Sequence, residues 1–411
     1  MPDVERRLGN RPALSRCISV PVEAFAAENW GRVPLLSRAA DLPEPFSDLF
    51  SSDAVDELVS ARGLRTPFVR MAKEGTVLAP ARYTSPGGFG AEVADQLNSE
   101  KVLAEFSGGS TLVLQGLHRT WAPLAEFTRQ LISDVGHPCQ VNAYVTPASS
   151  RGFDPHYDVH DVFVIQIDGE KRWTIHEPVH PDPLTTQPWT DHRQAVADRA
   201  ALPPSLDETL RPGDVLYLPR GWLHSATALG GTSVHLTVGI AALTRFDIVE
   251  QLTAGSAKAT ELRRSLPLGL DLSNTEELRS IVETAIDDLT THLRSASQAT
   301  DIGDRLARSL REATRPEQLR PLATVDALAA LDEWSEVSLR RGLDVRLSSD
   351  DETVSIRLPA STVTLPGQAT DAVSFLLSGQ PARAGALPGL DPASSLVVAR
   401  RLVREGVVIV R

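Results

Sequence analysis

Near Leu243 the spacing of the apolar residues changes from that of strands to that of helices, which limits the folds open to this chain. Before it, short β-branched and aromatic runs alternate with Pro and Gly: Ser110 to Gln115, Gln140 to Thr146, Asp161 to Ile167, Lys171 to Ile175 and Thr232 to Ile240. That is the pattern of a strand-rich domain. After it, Leu278, Ile281, Val282, Ala285, Ile286, Leu289 and Leu293 fall at helical spacing behind Ser273 and Glu276, a capping-box separation. One long amphipathic helix is predicted there, and Ile302, Leu306 and Leu310 repeat its stripe. Two helices packed only on each other would leave part of those stripes wet. The stripes call for a second copy of the chain or for the rest of this one.

Composition narrows the partners. Lys and Arg total 41 against 53 Asp and Glu, a net charge of −12 that disfavours nucleic acid and anionic membranes and favours a basic target. Cys17 and Cys139 are the only cysteines, which excludes a disulfide framework and a four-cysteine zinc site and suits a reducing compartment. No export signal and no run of 18 apolar residues occurs, so a cytoplasmic protein without a membrane span is expected. The last part, from about Leu343 to Arg411, reads as a strand at Thr353 to Leu358, a helix capped by Asp391 with Pro392 in its first turn and Gly406 beyond its end, and a closing strand at Val407 to Val410. Strand, helices and strand in that length resemble a winged-helix module.

The chemistry concentrates in His156-Tyr157-Asp158 and in the distant run Arg211 to His224. On an extended strand residues i and i+2 share a side, so the His156 imidazole and the Asp158 carboxylate converge. His224 follows Pro212-Gly213, the apolar run Val215 to Leu218 and a second turn at Pro219 to Gly221, and so sits at a strand end where it can complete a set of two imidazoles and one carboxylate. Such a facial triad suits non-haem Fe(II) and leaves open positions. A hydrogen-bonded strand-end pair is the plainer alternative for His156 and Asp158. His180-Pro181-Asp182 repeats the triplet spacing, but Pro181 and Pro183 mark it as a surface loop.

Polar residues also share faces with one another. Asn142 and Tyr144 alternate with Val141, Ala143 and Val145; Lys171 and Trp173 share a side, as do Ser233, His235 and Thr237. A wet interior follows if these strands close on each other. A lysine inside it needs an anion, and the distal carboxylate of 2-oxoglutarate would serve; against this, Asp168-Gly169-Glu170 is a hairpin signal that would leave Lys171 in an exposed turn.

The string His156-Tyr-Asp-Val-His-Asp-Val-Phe-Val-Ile-Gln-Ile-Asp-Gly-Glu-Lys-Arg-Trp173, with a basic residue fifteen positions after the first histidine, resembles the JmjC-type ribosomal oxygenases of the cupin superfamily. Asn142-Ala-Tyr144, the run Gly213 to His224, Ser233-Val-His-Leu-Thr237 and the early stretch Phe25 to Leu36 with Trp30-Gly31 fit the same pattern. The resemblance implies an α+β chain: a double-stranded β-helix (jelly-roll, cupin/JmjC) barrel with an N-terminal helical part over residues 1–243, a helical dimerisation region over 244–342 and a winged-helix-like domain over 343–411. It implies Fe(II) on His156, Asp158 and His224, with O2 as co-reactant. It also implies 2-oxoglutarate held at its far end by Lys171, with Asn142 and Tyr144 lining the same pocket, and hydroxylation of an arginine or histidine of a protein substrate, a ribosomal protein, by a homodimer. Gly239 departs from the family, where a serine often follows this His-Leu-Thr; His160 reads as a rim histidine beside the ligands, and His235 as a substrate contact or a satisfied barrel histidine. Two other functions remain open: a same-fold oxygenase acting on a peptide or other natural product, and a nucleic-acid-binding regulator with a metabolite-sensing barrel. Seven arginines against six acidic residues between Val345 and Arg411 are a weak basic footprint for the second.

Overall fold

The β-branched runs before Leu243 pair into one nine-stranded antiparallel sheet. The computed structural model describes residues 11–411 except 74, 91, 149, 151–153, 295–297, 344 and 359–360, and the chain divides into one unit up to Ala242 and another from Leu243. The first unit contains β1 (Leu35–Ser37), β2 (Val69–Lys73), β3 (Thr76–Val77), β4 (Thr111–Leu114), helix α1 (Ala122–Val135), β5 (Cys139–Thr146), β6 (Asp161–His176), β7 (Leu206–Leu210), β8 (Val215–Leu218) and β9 (Leu223–Ile240). Across the sheet the order is β1-β8-β6-β9-β5-β4-β2-β3, with β7 paired to β6. Side chains alternate between its faces. Val141, Ala143, Val145, Phe163, Leu236 and Val238 join Leu124, Phe127 and Leu131 of α1 in the largest apolar cluster. Val162, Val164, Trp173, Leu216 and Leu218 form a separate cluster on the other face. Tyr144, Lys171, His235 and Thr237 line a cavity together with members of that second cluster.

The two runs Asp161 to Ile167 and Lys171 to Ile175 are one strand, so the hairpin expected at Asp168-Gly169-Glu170 does not form. The register instead jumps from Leu229 opposite Glu170 to Val234 opposite Asp168, a bulge between two long strands. Gly169 sits there at φ 63°, and a Cβ on it would lie 2.1 Å from the Thr232 carbonyl oxygen. The same glycine chemistry serves a hairpin and a bulge, and only the partner strand distinguishes them. Gly169→Val is expected to destabilise the protein by about 2–4 kcal/mol, measurable by denaturant unfolding, because positive φ and overlap with backbone act together.

Two buried carboxylates aim the strand that leads to His224. Asp214 accepts the Arg211 and Ala39 backbone N–H groups at 3.0 and 2.9 Å and pairs with Arg38 at 2.9 Å, fixing the turn before β8. Asp161 accepts the Tyr217 hydroxyl at 3.0 Å and the Arg220 backbone N–H at 2.8 Å, fixing the turn after it. The early Trp30-Gly31 pair belongs to this arrangement: Gly31 N–H donates to the Tyr217 oxygen at 2.8 Å, and the Trp30 ring stacks on Tyr217 at 6.0 Å.

The second unit begins with α2 (Arg245–Ser256), α3 (Thr275–Leu293) and α4 (Gln298–Ala313). Asn274 caps α3, not Ser273 as the spacing suggested, because Asp271 takes both the N–H and the hydroxyl of Ser273 while the Asn274 side chain accepts from Glu276 and Glu277. No residue of α3 is buried, and Val282 and Ile286 are 48 and 55% exposed. Then come α5 (Pro321–Ala330), β10 (Glu336–Leu339), the meander β11 (Arg346–Ser349), β12 (Thr353–Arg357) and β13 (Thr362–Pro366), α6 (Thr370–Leu377), β14 (Ala382–Arg383), α7 (Pro392–Arg404) and β15 (Val408–Val410). A three-stranded sheet runs β14-β10-β15, and its core joins Leu331 and Val337 to Ala372, Val373, Leu402 and Val403. Asp391 caps α7 with Pro392 in its first turn, and Gly406 follows its end at φ 67°, as the sequence predicts.

Candidate metal centre

An antiparallel bridge brings the distant histidines together. His224 N–H donates to the His156 carbonyl at 2.8 Å and His156 N–H to the His224 carbonyl at 3.2 Å, and their rings lie 4.4 Å apart. The Asp158 carbonyl accepts Gly221 N–H at 3.0 Å, tying the Pro219 to Gly221 turn to the triplet. One nitrogen of each imidazole and a carboxylate oxygen of Asp158 lie within 4.8 Å of one another, and His224 Nε2 is 3.7 Å from Asp158. His156 Nδ1 donates to the Asp154 carbonyl at 2.7 Å and His224 Nδ1 to the Trp222 carbonyl at 3.1 Å. Both rings are thereby held in the tautomer that leaves Nε2 as an electron-pair donor. Burial raises the Asp158 carboxyl, but the imidazoles of His160, His224 and His156 and the guanidinium of Arg70 outweigh it and leave it below its usual range. Burial, then His156, push His224 down to about 4, so its ring is neutral at pH 7. An anionic oxygen and neutral imidazoles are the donor set that a divalent first-row metal takes.

A cavity of about 240 Å³ opens from these donors, and Arg70, Tyr144, Lys171, Trp173, Trp189 and His235 line it. Lys171 is 3% exposed and faces inward, so the exposed-turn alternative fails. Its Nζ donates to Thr146 Oγ1 at 3.1 Å, and burial lowers its pKa to about 7. His235 stacks on Tyr144 with ring centres 5.1 Å apart; burial, then Lys171, hold its pKa well below the usual value. Trp173 Nε1 and His235 Nδ1 are buried, with no hydrogen-bond partner among the described residues. An inward ammonium and two orphaned ring nitrogens are what a small dianionic ligand would satisfy.

Asn142 is not in this wall: its side-chain oxygen accepts Gly116 N–H at 3.0 Å. His160 stands where a side chain at position 239 would, since a Cβ on Gly239 would lie 2.6 Å from its Cδ2. A side chain at position 239 would thus collide with the His160 ring. His180 and Asp182 are apart from the cluster, His180 against the Gln187 side chain at 3.2 Å and Asp182 on Arg220 at 3.1 Å. Arg70 and Trp189 escaped the sequence reading. Arg70 reaches the wall only through the β2–β4–β5 pairing, and Trp189 follows the Pro-rich segment that reads as a loop.

The sheet and the clustered donors define a cupin-type JmjC domain, and the JmjC domain family profile matches residues 118–248. The bifunctional lysine-specific demethylase and histidyl-hydroxylase NO66 of Drosophila yakuba is 28% identical over 325 residues, 74% of this chain and 45% of that protein. Ribosomal oxygenase 1 of Gallus gallus is 30% identical over 249 residues, 58% of this chain and 39% of that protein. The crystal structure of the Escherichia coli ribosomal oxygenase YcfD superposes with a TM-score of 0.52 at 17% identity, covering 96% of this chain and 99% of that one. A YcfD complex with cobalt and 2-oxoglutarate gives 0.51 at 17% identity, with the same coverage of 96 and 99%. Over residues 118–248 the chain carries a JmjC domain, and it is similar to ribosomal oxygenases in sequence and fold. It spans 45% of the length of the Drosophila yakuba protein and 52% of that of its Aedes aegypti counterpart.

Proposed function

We propose that the chain is an Fe(II)- and 2-oxoglutarate-dependent hydroxylase of a histidine or arginine side chain in a protein, with a ribosomal protein as the substrate. One observation carries this reading: two Nε2-presenting histidines and a carboxylate stand at one end of a cavity into which a buried lysine points. When bound, iron with 2-oxoglutarate and O2 supplies the oxidation, the carbon gaining a hydroxyl as the 2-oxo acid becomes succinate and CO2. The chain's own groups bind and orient. His156, Asp158 and His224 would hold the metal, and Lys171 would take the distal carboxylate; Trp173 and Tyr144 border the same space. The apolar walls at Val162, Val164 and Leu218 keep water from the reacting atoms. Asn142 acts by fixing Gly116 beside β5.

Of the two candidate side chains we favour histidine. Arg70 lines the cavity, hydrogen-bonds Tyr144 and faces Asp158, so a permanently charged arginine entering there meets a like charge, whereas a neutral imidazole does not. Incubating the Fe(II)-loaded protein with paired ribosomal peptides that differ in one histidine or arginine should add oxygen to the histidine peptide at the greater rate. Preference for the arginine peptide would overturn this choice and leave the hydroxylase reading in place.

The exposed stripe of α3 supports a homodimer formed through α2 to α4, and the arrangement from α5 to β15 supports a winged-helix-like module. Replacing Ile286 and Leu289 by glutamate should yield monomers in sedimentation while iron binding is retained. A wild-type protein that sediments as a monomer at micromolar concentration would refute the dimer. Among the described residues no helix is long and apolar enough to cross a membrane, and we read the protein as cytoplasmic.

A further inference from the structure

The C-terminal unit holds a second cavity, of about 530 Å³, whose lining includes Arg308, Arg311, Arg346 and Arg357 against, among the described residues, one acid, Glu312. Its charge is unusual for its surroundings, since 24 acidic residues outnumber 20 basic ones between Leu243 and Arg411. Arg346 and Arg357 are direct cross-strand partners in the β11–β12 pair, an arrangement in which like charges repel. Arg308 and Arg311 are three apart on α4 and so share a helix face, which repeats the repulsion. Among the described residues, no carboxylate lies within ion-pair distance of Arg308, Arg346 or Arg357, and Arg308 Nε is buried without a hydrogen-bond partner. Three guanidinium groups with no carboxylate beside them among the described residues favour an anion in the space they line, and guanidinium forks match phosphate oxygens in pairs.

We propose that this cavity is a binding site for a small polyphosphate-bearing ligand, of the chemistry of a nucleoside polyphosphate. A single phosphate would neutralise at most two of those three charges. A nucleic acid would extend past the cavity onto a surface where acidic residues predominate, and the arginines form no stripe along which a backbone could track. A compact chain of two or three phosphates fits the volume and the charge without that repulsion.

The test uses the full chain and inorganic tripolyphosphate as the probe, with inorganic phosphate and a single-stranded RNA oligonucleotide in parallel, by isothermal titration calorimetry. Tripolyphosphate is expected to bind, and inorganic phosphate to bind more weakly. Arg346→Gln and Arg357→Gln each lie on an exposed strand face, and each should weaken tripolyphosphate at least about tenfold. Their Tm without ligand should be no lower than that of the wild type, because a repulsion has been removed. Absence of tripolyphosphate binding at millimolar concentration, or equal binding by the variants, would overturn the proposal. So would RNA binding that is tighter than tripolyphosphate and lost in the same variants, which would assign the cavity to a nucleic acid instead.

Discussion

Replacing Asp158 by alanine is expected to weaken Fe(II) binding by at least about a hundredfold, more than the loss of a group that merely orients a ligand, and to abolish turnover. The carboxylate is the only anionic donor of the cluster, and its loss leaves two imidazole rings with centres 4.4 Å apart and nothing to balance a dication. Asp182→Ala removes a carboxylate of the same triplet spacing, but one that pairs with Arg220 away from the cluster, and should leave iron affinity unchanged. Anaerobic calorimetric titration of both variants checks the pair. Equal iron affinity in Asp158→Ala and wild type would remove Asp158 from the metal.

The second large effect is at Lys171. Its replacement by alanine should raise the 2-oxoglutarate Kd about a hundredfold while Fe(II) affinity stays within about threefold, because an inward ammonium meeting a carboxylate away from water is worth several kcal/mol. The interaction should also depend on pH, with a sign set by the lysine. Burial lowers its pKa from 10.5 to about 7, and only the protonated form attracts the carboxylate. Affinity is therefore flat below pH 7 and falls as pH rises through it, by about twentyfold between pH 6.5 and 8.5. The neighbours facing the ammonium are Thr146, His235, Tyr144 and Trp173, none of them anionic at these pH values. The same lowered pKa is a stability cost of about 5 kcal/mol in the ligand-free protein, fully present below pH 7 and lost as pH rises towards 10.5. Lys171→Met should accordingly be more stable than wild type at pH 6 when no cosubstrate is bound. A 2-oxoglutarate affinity that does not change in Lys171→Ala would refute the role.

Why some of this was legible in the sequence and some not follows from how far each signal reaches along the chain. The donors could be read because His156 and Asp158 obey a two-residue period and His224 closes a strand bracketed by two turns, both local patterns. The inward side of Tyr144, Lys171 and His235 followed from the same alternation. Lys171 was nevertheless ambiguous, since Asp168-Gly169-Glu170 reads as a hairpin and becomes a bulge only because residues 230–233 of β9 pass opposite it. Arg70 carries no local mark: it lies on a five-residue strand, 86 positions before His156, and enters the cavity by strand pairing alone. Asn142 shows the converse failure. Its side of the strand was predicted correctly, but the Gly116 N–H claims its oxygen, and alternation says nothing of which partner a polar group finds. Ser273 lost the cap of α3 to Asn274 for the same kind of reason, an aspartate two residues earlier having taken its N–H and hydroxyl.

The most direct test is of the chemistry itself. Purified protein loaded with Fe(II) is incubated under air with 2-oxoglutarate and ribosomal proteins from cells that lack the gene. Succinate is measured alongside the intact masses of the ribosomal proteins. The expected result is a ribosomal protein that gains the mass of one oxygen atom on a histidine, with succinate formed in step, and neither change with Asp158→Ala. Ribosomal proteins of unaltered mass, with no succinate above the level given by that variant, would contradict the account.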